Sequence, residues 1–263
     1  MGIKTIMVSL ILGLGISAGV YLLSHQPYYQ TPESDLYPKI SNSQITQKPF
    51  VENLPTNSSE TANAASPNLT ETLFNKIGQK ILDQNPNGPV NVNGEPSLNA
   101  PDAATLAQEM LQEATTKFNP ESLTQTIDKS RILVSSGNSK EELIKYFNDF
   151  NQIMQNQSQY LVKKLGDGAN NLSLENLPDF INAYQNTVEN FYKTSVPSKA
   201  LSLHEEEIKL LETELNILKT MAGYGQDPVV AILAADQLPS LDEKFQELQK
   251  NLNKFIEENG LNK

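Results

Sequence analysis

A chain of 263 residues with a formal net charge of −11, no cysteine and a single arginine, Arg131, is already bounded in what it can do. The missing cysteine excludes a disulfide framework, a thiol nucleophile, thiolate metal sites and the lipid-modified cysteine of a bacterial lipoprotein. The acidic balance argues against nucleic acid as a partner, because phosphate recognition relies on clustered arginine and lysine.

Residues 1–4 form a stub ending in Lys4, and an almost unbroken apolar run follows from Thr5 to Leu23. Such a run is about long enough to cross a bilayer as a helix, so a single transmembrane anchor at 5–23 is expected. The nearest lysine after it is Lys39, and the positive-inside tendency then sets the amino terminus in the cytoplasm and the body of the protein outside it. The alternative is a signal peptide cleaved near Ala18, where Ile16-Ser17-Ala18 is a fair match to a cleavage site. Both readings export the rest of the chain.

Two glycine patterns lie in this segment. Gly13-Leu14-Gly15-Ile16-Ser17-Ala18 matches the G-x-G-x-x-A form of a dinucleotide fingerprint, with Asp35 downstream. No strand, helix and second strand surround it, however, and the match is accidental. Gly15-x-x-x-Gly19, with Ser9, Gly13 and Ser17 at matching intervals, would let two such helices approach closely, so a homo-oligomer through Gly15 and Gly19 is compatible with the sequence.

Residues 24–67 carry six prolines and no sustained period, which reads as an extended or disordered spacer. Helical signals dominate from 68 to 263, and roughly 190 residues of this kind suffice for one sizeable core. Leu69, Leu73, Phe74, Ile77, Ile81 and Leu82 predict the apolar face of a first helix, ending before Asn85-Pro86-Asn87-Gly88-Pro89. A loop rich in Pro, Gly and Asn runs to Pro101. A second helix carries Leu106, Met110, Leu111, Ala114 and Phe118 and stops at Asn119-Pro120. Residues 121–137 are ambiguous, since Ile132-Leu133-Val134 suits a short extended piece or the end of a short helix. Ser139-Lys140-Glu141-Glu142 is a capping box, and the helix it opens steps through Leu143, Phe147, Phe150, Met154, Leu161 and Leu165, interrupted by Gln157. Gly166-Asp167-Gly168 closes it. A fourth helix carries Leu177, Ile181, Tyr184, Val188 and Phe191, and Val196-Pro197-Ser198 breaks and recaps the chain. The fifth has the cleanest seam, through Leu201, His204, Ile208, Leu211, Leu215, Leu218 and Ala222, at coiled-coil-like intervals. Asp227-Pro228 opens the last segment, which Pro239 kinks or splits before the seam Leu241, Phe245, Leu248, Leu252 and Phe255. With no alternating strand evident, the expected class is all-α: a helical bundle of about five to six helices behind the anchor.

The candidate chemistry is sparse. His204 occupies a seam position before Glu205-Glu206-Glu207, but di-metal bundles place a Glu three residues before each His, and that position here is Leu201. A core histidine beside a solvated glutamate face that favours the helix dipole is the simpler reading. Asp83-Gln84-Asn85-Pro86-Asn87-Gly88 matches the first half of a calcium loop, yet position 12 is Gly94 rather than a bidentate glutamate, with Glu95 one residue late. An Asn-Pro-Asn-Gly turn accounts for it. The hydrolase signature H-E-x-x-H does not occur, and the one G-x-S-x-G match, Gly15-Ile16-Ser17-Ala18-Gly19, lies inside the apolar run. No catalytic, cofactor or metal residue is therefore assigned.

Two stretches, Asn138-Ser139-Lys140-Glu141-Glu142-Leu143 to Tyr146 and Val196-Pro197-Ser198 through Leu201 to His204, resemble a loosely defined set of uncharacterised exported helical proteins of bacteria with very small genomes. In that set an N-S-x-E-x-L-x-x-Y and a V-P-x-x-x-L-x-x-H helix start recur. The resemblance spans roughly residues 70 to 260 and implies a helical cell-envelope protein, with no catalytic residues to carry over; Pro239 departs from an otherwise smooth last helix. The expectation is a non-catalytic, single-pass protein whose extracytoplasmic domain binds or scaffolds an unidentified protein. A calcium-dependent surface module using the 83–88 loop, or an envelope hydrolase with His204 as base, is the alternative.

Overall fold

The structure, a computed structural model, describes residues 68–92, 94–166 and 172–261. The expected stub 1–4, anchor 5–23 with Gly15, Ala18 and Gly19, and spacer 24–67 lie outside the described residues. Among the described residues no helix is long and apolar enough to cross a membrane.

The chain is mostly helical, as its periodicities predict. Seven α-helices are described: α1 Leu69–Gln84, α2 Ala103–Lys117, α3 Lys140–Leu165, α4 Leu177–Lys193, α5 Leu201–Ala222, α6 Pro228–Ala235 and α7 Leu238–Glu258. Their starts follow from capping chemistry. Asn68, Asp102, Ser139 and Asp227 each accept a bond from a first-turn N–H with the side chain, which satisfies donors that no helical carbonyl can reach. The capping box at Ser139 is complete: the Glu142 carboxylate accepts from the Ser139 N–H at 2.9 Å, and the Glu142 N–H donates to Ser139 Oγ at 3.3 Å. At the far end of α3, Gly166 takes φ +53°, a left-handed conformation that glycine adopts without steric cost. Pro239 splits the last segment instead of kinking it. It sits in the first turn of α7, where its missing N–H costs nothing.

Four very short strands modify the purely helical expectation. β1 Val90–Val92 and β2 Glu95–Ser97 form an exposed antiparallel hairpin inside the stretch expected to be a loop. β3 Val134–Ser135 pairs in parallel with β4 Val196–Pro197. The ambiguous stretch 121–137 thus resolves into 3-10 turns at Pro120–Leu123 and Lys129–Arg131 followed by an extended piece.

Packing centres on α5, which lies against α4 on one side and against α6 and α7 on others, while α3 covers α4. A helix surrounded in this way buries more than a single seam. Besides Ile208, Leu211, Leu215 and Leu218, it hides Leu210, Ile217 and Met221. A second, smaller core joins Leu69 and Leu73 of α1, Met110 and Ala114 of α2 and Leu233 of α6. The α1–α2 hairpin is therefore a separate layer docked on α6. Because α1 is covered chiefly by α2 and α6, two of its expected core residues, Phe74 and Leu82, point outward, and so does Leu111 of α2.

Candidate functional site

The two sequence stretches that carry the resemblance meet in space. Val134 pairs with Val196 at the β3–β4 ladder. Four residues further on, Asn138 Nδ2 donates to Ser198 Oγ at 2.8 Å while Asn138 Oδ1 accepts from the Lys199 N–H at 2.9 Å. Ser198 is thus spent on this clasp and does not cap α5, whose first turn has no side-chain cap. Two helical turns deeper, Tyr146 Oη lies 3.1 Å from His204 Nδ1. Both rings pack in an aromatic group with Phe147, Phe150 and Phe191.

His204 begins a buried polar stripe on α5. Glu207 and Glu214 follow at intervals of three and seven, which keeps all three on one helix face. His204 is 0% exposed and Glu207 1%. The solvated glutamate face predicted from the sequence therefore holds for Glu206, which is exposed, and partly for Glu205, which pairs with Lys129 at 2.7 Å, but not for Glu207. That residue turns inward because it lies one turn beyond His204 on the same face, within a helix covered by neighbours on several sides. Glu214 accepts from Tyr184 Oη at 2.6 Å. Neither oxygen of Glu207 has a hydrogen-bond partner among the described residues, nor do His204 Nε2 or the side-chain amide of Gln157, the residue that interrupts the α3 seam.

Burial sets the protonation of these groups, since a low-dielectric surrounding disfavours the charged form. It raises Glu207 from 4.5 to about 8, helped by the nearby carboxyls of Glu214 and Glu206. It raises Glu214 to about 7, against the bond from Tyr184. His204 falls from 6.5 to about 4, only partly opposed by the Phe191 backbone. Burial, and then the charge of Glu207, moves Tyr146 well above its ordinary value. At neutral pH His204 is thus uncharged and Glu207 holds its proton, while Glu214 stands near its midpoint. Two clefts of about 390 Å³ and about 130 Å³ flank Leu123, and their linings include none of His204, Glu207 or Glu214.

The calcium-loop lookalike is occupied by its own bonds. Asp83 lies in the last turn of α1 and accepts from Gln79 at 3.0 Å. Asn85, at the helix end, is buried: its Oδ1 accepts from the Asn99 N–H at 2.8 Å and its Nδ2 donates to Ile81 O and Asn99 O, both at 2.7 Å. Asn85 therefore fastens the returning loop to α1 and does not turn its oxygen toward a common centre with Asp83. Among the described residues no group of three or more His, Asp or Glu side chains converges as a metal site would.

Arg131 is also engaged. Its Nη2 bridges both oxygens of Glu189 at 2.8 and 2.9 Å, and its guanidinium lies 4.0 Å over the Tyr192 ring. Tyr192 Oη in turn donates to Glu212 at 2.9 Å and accepts from the Asp128 N–H. This surface network fixes the 3-10 turn at Lys129–Arg131 against α4 and α5. Sequence reasoning missed Glu207, Glu214 and Tyr184. The signal was present in the spacing of the two glutamates from His204, which repeats the seam interval. No protein family, curated protein or solved structure matches the chain.

Proposed function

We propose that the chain is a non-catalytic interaction module of the cell envelope, held to the membrane by residues 5–23 with the amino terminus cytoplasmic, and presenting its helical domain on the outer side at the end of the 24–67 spacer. The observation that supports this reading is the inversion of where its residues lie. The groups able to do chemistry, His204, Glu207 and Glu214, are sealed inside, whereas large apolar side chains, Phe74 at 74% and Leu82 at 64%, stand exposed on one helix. Contiguous exposed apolar surface, unlike apolar residues scattered singly, marks contact sites. A polar stripe buried in this way serves packing specificity.

Carbonate extraction of membranes carrying the full chain tests the tether, and cross-linking in those membranes tests the interaction. The reading expects the chain to stay with the bilayer and to be recovered in a cross-linked assembly that Phe74→Ser with Leu82→Ser abolishes. A chain that extracts freely and forms no assembly would sink it.

A further inference from the structure

The outward side of α1 carries Phe74, Gly78 and Leu82 at intervals of four, one above another on the helix surface. Half-buried Ile81 borders the row. A Cβ added at Gly78 would meet nothing within 4 Å, so the centre of the row is an open notch between two large apolar groups. The row is free of charge because both lysines of α1 turn elsewhere, Lys76 to Glu113 and Lys80 to Glu109 on α2. Only Glu71 stands at its margin.

We propose that this row is a homotypic docking surface, on which α1 of a second copy of the chain lies antiparallel with the twofold axis at Gly78. The inference deepens the reading of the chain as a tethered interaction module and rests on it; it names the partner. A twofold axis brings together residues equidistant from its centre, so a self-complementary patch must place unlike shapes at equal distances. Phe74 and Leu82 are each four residues from Gly78 and meet each other's counterparts, an aromatic ring against a branched aliphatic group. The glycine lies where the two backbones come nearest, which is where a missing side chain permits close approach. Charge selects the direction. Parallel packing would set Glu71 against Glu71, whereas antiparallel packing moves the two glutamates to opposite ends of the pair.

Size fixes how the pairing must be used. One four-turn helix presenting three or four apolar side chains falls short of the roughly 1,000 Å² expected of a stable soluble interface. A shared membrane surface supplies the missing effective concentration. Residues 24–67, whose extended reach is on the order of 140 Å, allow two tethered copies to meet in an antiparallel arrangement.

The cysteine-free chain gives a clean test. The full chain bearing Gly78→Cys is reconstituted in phosphatidylcholine vesicles and oxidised mildly. A covalent dimer through the introduced thiol is expected, since the axis holds the two Cα atoms close enough for a disulfide. Gln79→Cys, exposed but turned about 100° away, should cross-link at least fivefold less. Phe74→Asp added to Gly78→Cys should reduce the dimer at least tenfold. A Gly78→Cys chain that remains monomeric, whether because another protein or its own Phe50-Val51-x-x-Leu54 segment covers the row, overturns the inference, and so does equal cross-linking by Gln79→Cys or insensitivity to Phe74→Asp. Sedimentation of the same vesicles separates the two readings: a chain that leaves the bilayer yet still forms the Phe74-dependent dimer keeps the pairing and loses the tether.

Discussion

Tyr146 of α3 and His204 of α5 face each other with Oη and Nδ1 3.1 Å apart, joining two helices that both pack against α4. The tyrosine is the hydrogen-bond partner of a ring that is wholly buried and carries no charge at neutral pH. Tyr146→Phe keeps the ring packing but leaves Nδ1 orphaned, and a buried polar atom without its partner costs about 1–3 kcal/mol. Urea unfolding of the full chain should show a lower midpoint with an unchanged slope. An unaltered midpoint would mean that the bond contributes nothing net.

The buried carboxyls make stability depend on pH in a direction opposite to that of most surface carboxylates. Glu207 and Glu214 hold their protons in the folded chain up to about 8 and about 7, whereas the unfolded chain releases them near 4.5. Across that window the folded state binds more protons, so stability falls as pH rises. His204 acts the other way: it is neutral when folded down to about 4, and the unfolded chain holds the proton up to 6.5, so its contribution grows between those values. The trends oppose each other below pH 6.5, and above it only the carboxyls act. The denaturation midpoint should therefore decline as pH rises from 6.5 through 8, and Glu207→Gln should remove most of the decline. Parallel profiles for the two proteins would exclude Glu207 as the cause.

Asp227 couples the small core to the large one. Its carboxylate accepts from the Leu69 N–H at 2.6 Å, the Thr70 N–H at 3.1 Å and Thr70 Oγ1 at 2.6 Å while also capping α6 through the Val230 N–H at 3.2 Å. Burial alone would raise its pKa, but these donors outweigh burial and hold it below its ordinary value. Asp227→Ala removes the cap of α6 and the bonds to the first two N–H groups of α1, while the Asn68 cap of α1 stays; the loss of a cap is worth about 1 kcal/mol. Hydrogen exchange should show α1 and α2 losing protection before α4 and α5 do. Uniform loss across all helices would contradict a separately docked hairpin.

Gly137 has a tighter constraint than its position in a loop suggests. A Cβ there would fall on the Glu142 carboxylate that closes the capping box. Gly137→Ala should displace Glu142 from the Ser139 N–H and cost about 1 kcal/mol, close to the effect of losing a cap. Glu142→Ala combined with it should add little further loss, which a double-mutant cycle would read directly.

Much of this architecture was legible from the sequence, and the parts that were not share a physical cause. Helix starts at Asn68, Ser139 and Asp227 depend on bonds within a few residues, which local patterns contain. The outward turn of Phe74 and Leu82 depends on how many neighbours α1 acquires. Its apolar arc is wider than two covering helices can bury, and no feature internal to α1 reveals that. Glu207 is the converse case: three successive glutamates read as a solvated face, yet a central helix covered on several sides buries part of any such run. The β1–β2 hairpin left one local cue, the Asn93-Gly94 pair favoured in tight hairpin turns. The prolines on either side, Pro89, Pro96 and Pro101, mark the same stretch as loop. The anchor and spacer remain expectations of composition, since they lie outside the described residues.

A protein that acts through its exterior, and not through its buried polar stripe, should lose its assembly when that exterior is altered and its fold is kept. Cross-linking of the full chain in membranes, comparing wild type with the double variant Phe74→Ser, Leu82→Ser, measures this most directly. Both positions are exposed, so the double variant should fold with a melting midpoint close to wild type, as surface substitutions usually do. The expected result is a cross-linked assembly in the wild type and none in the folded double variant. An assembly that persists undiminished in the double variant, or a wild type that forms none, would contradict a function carried by this surface.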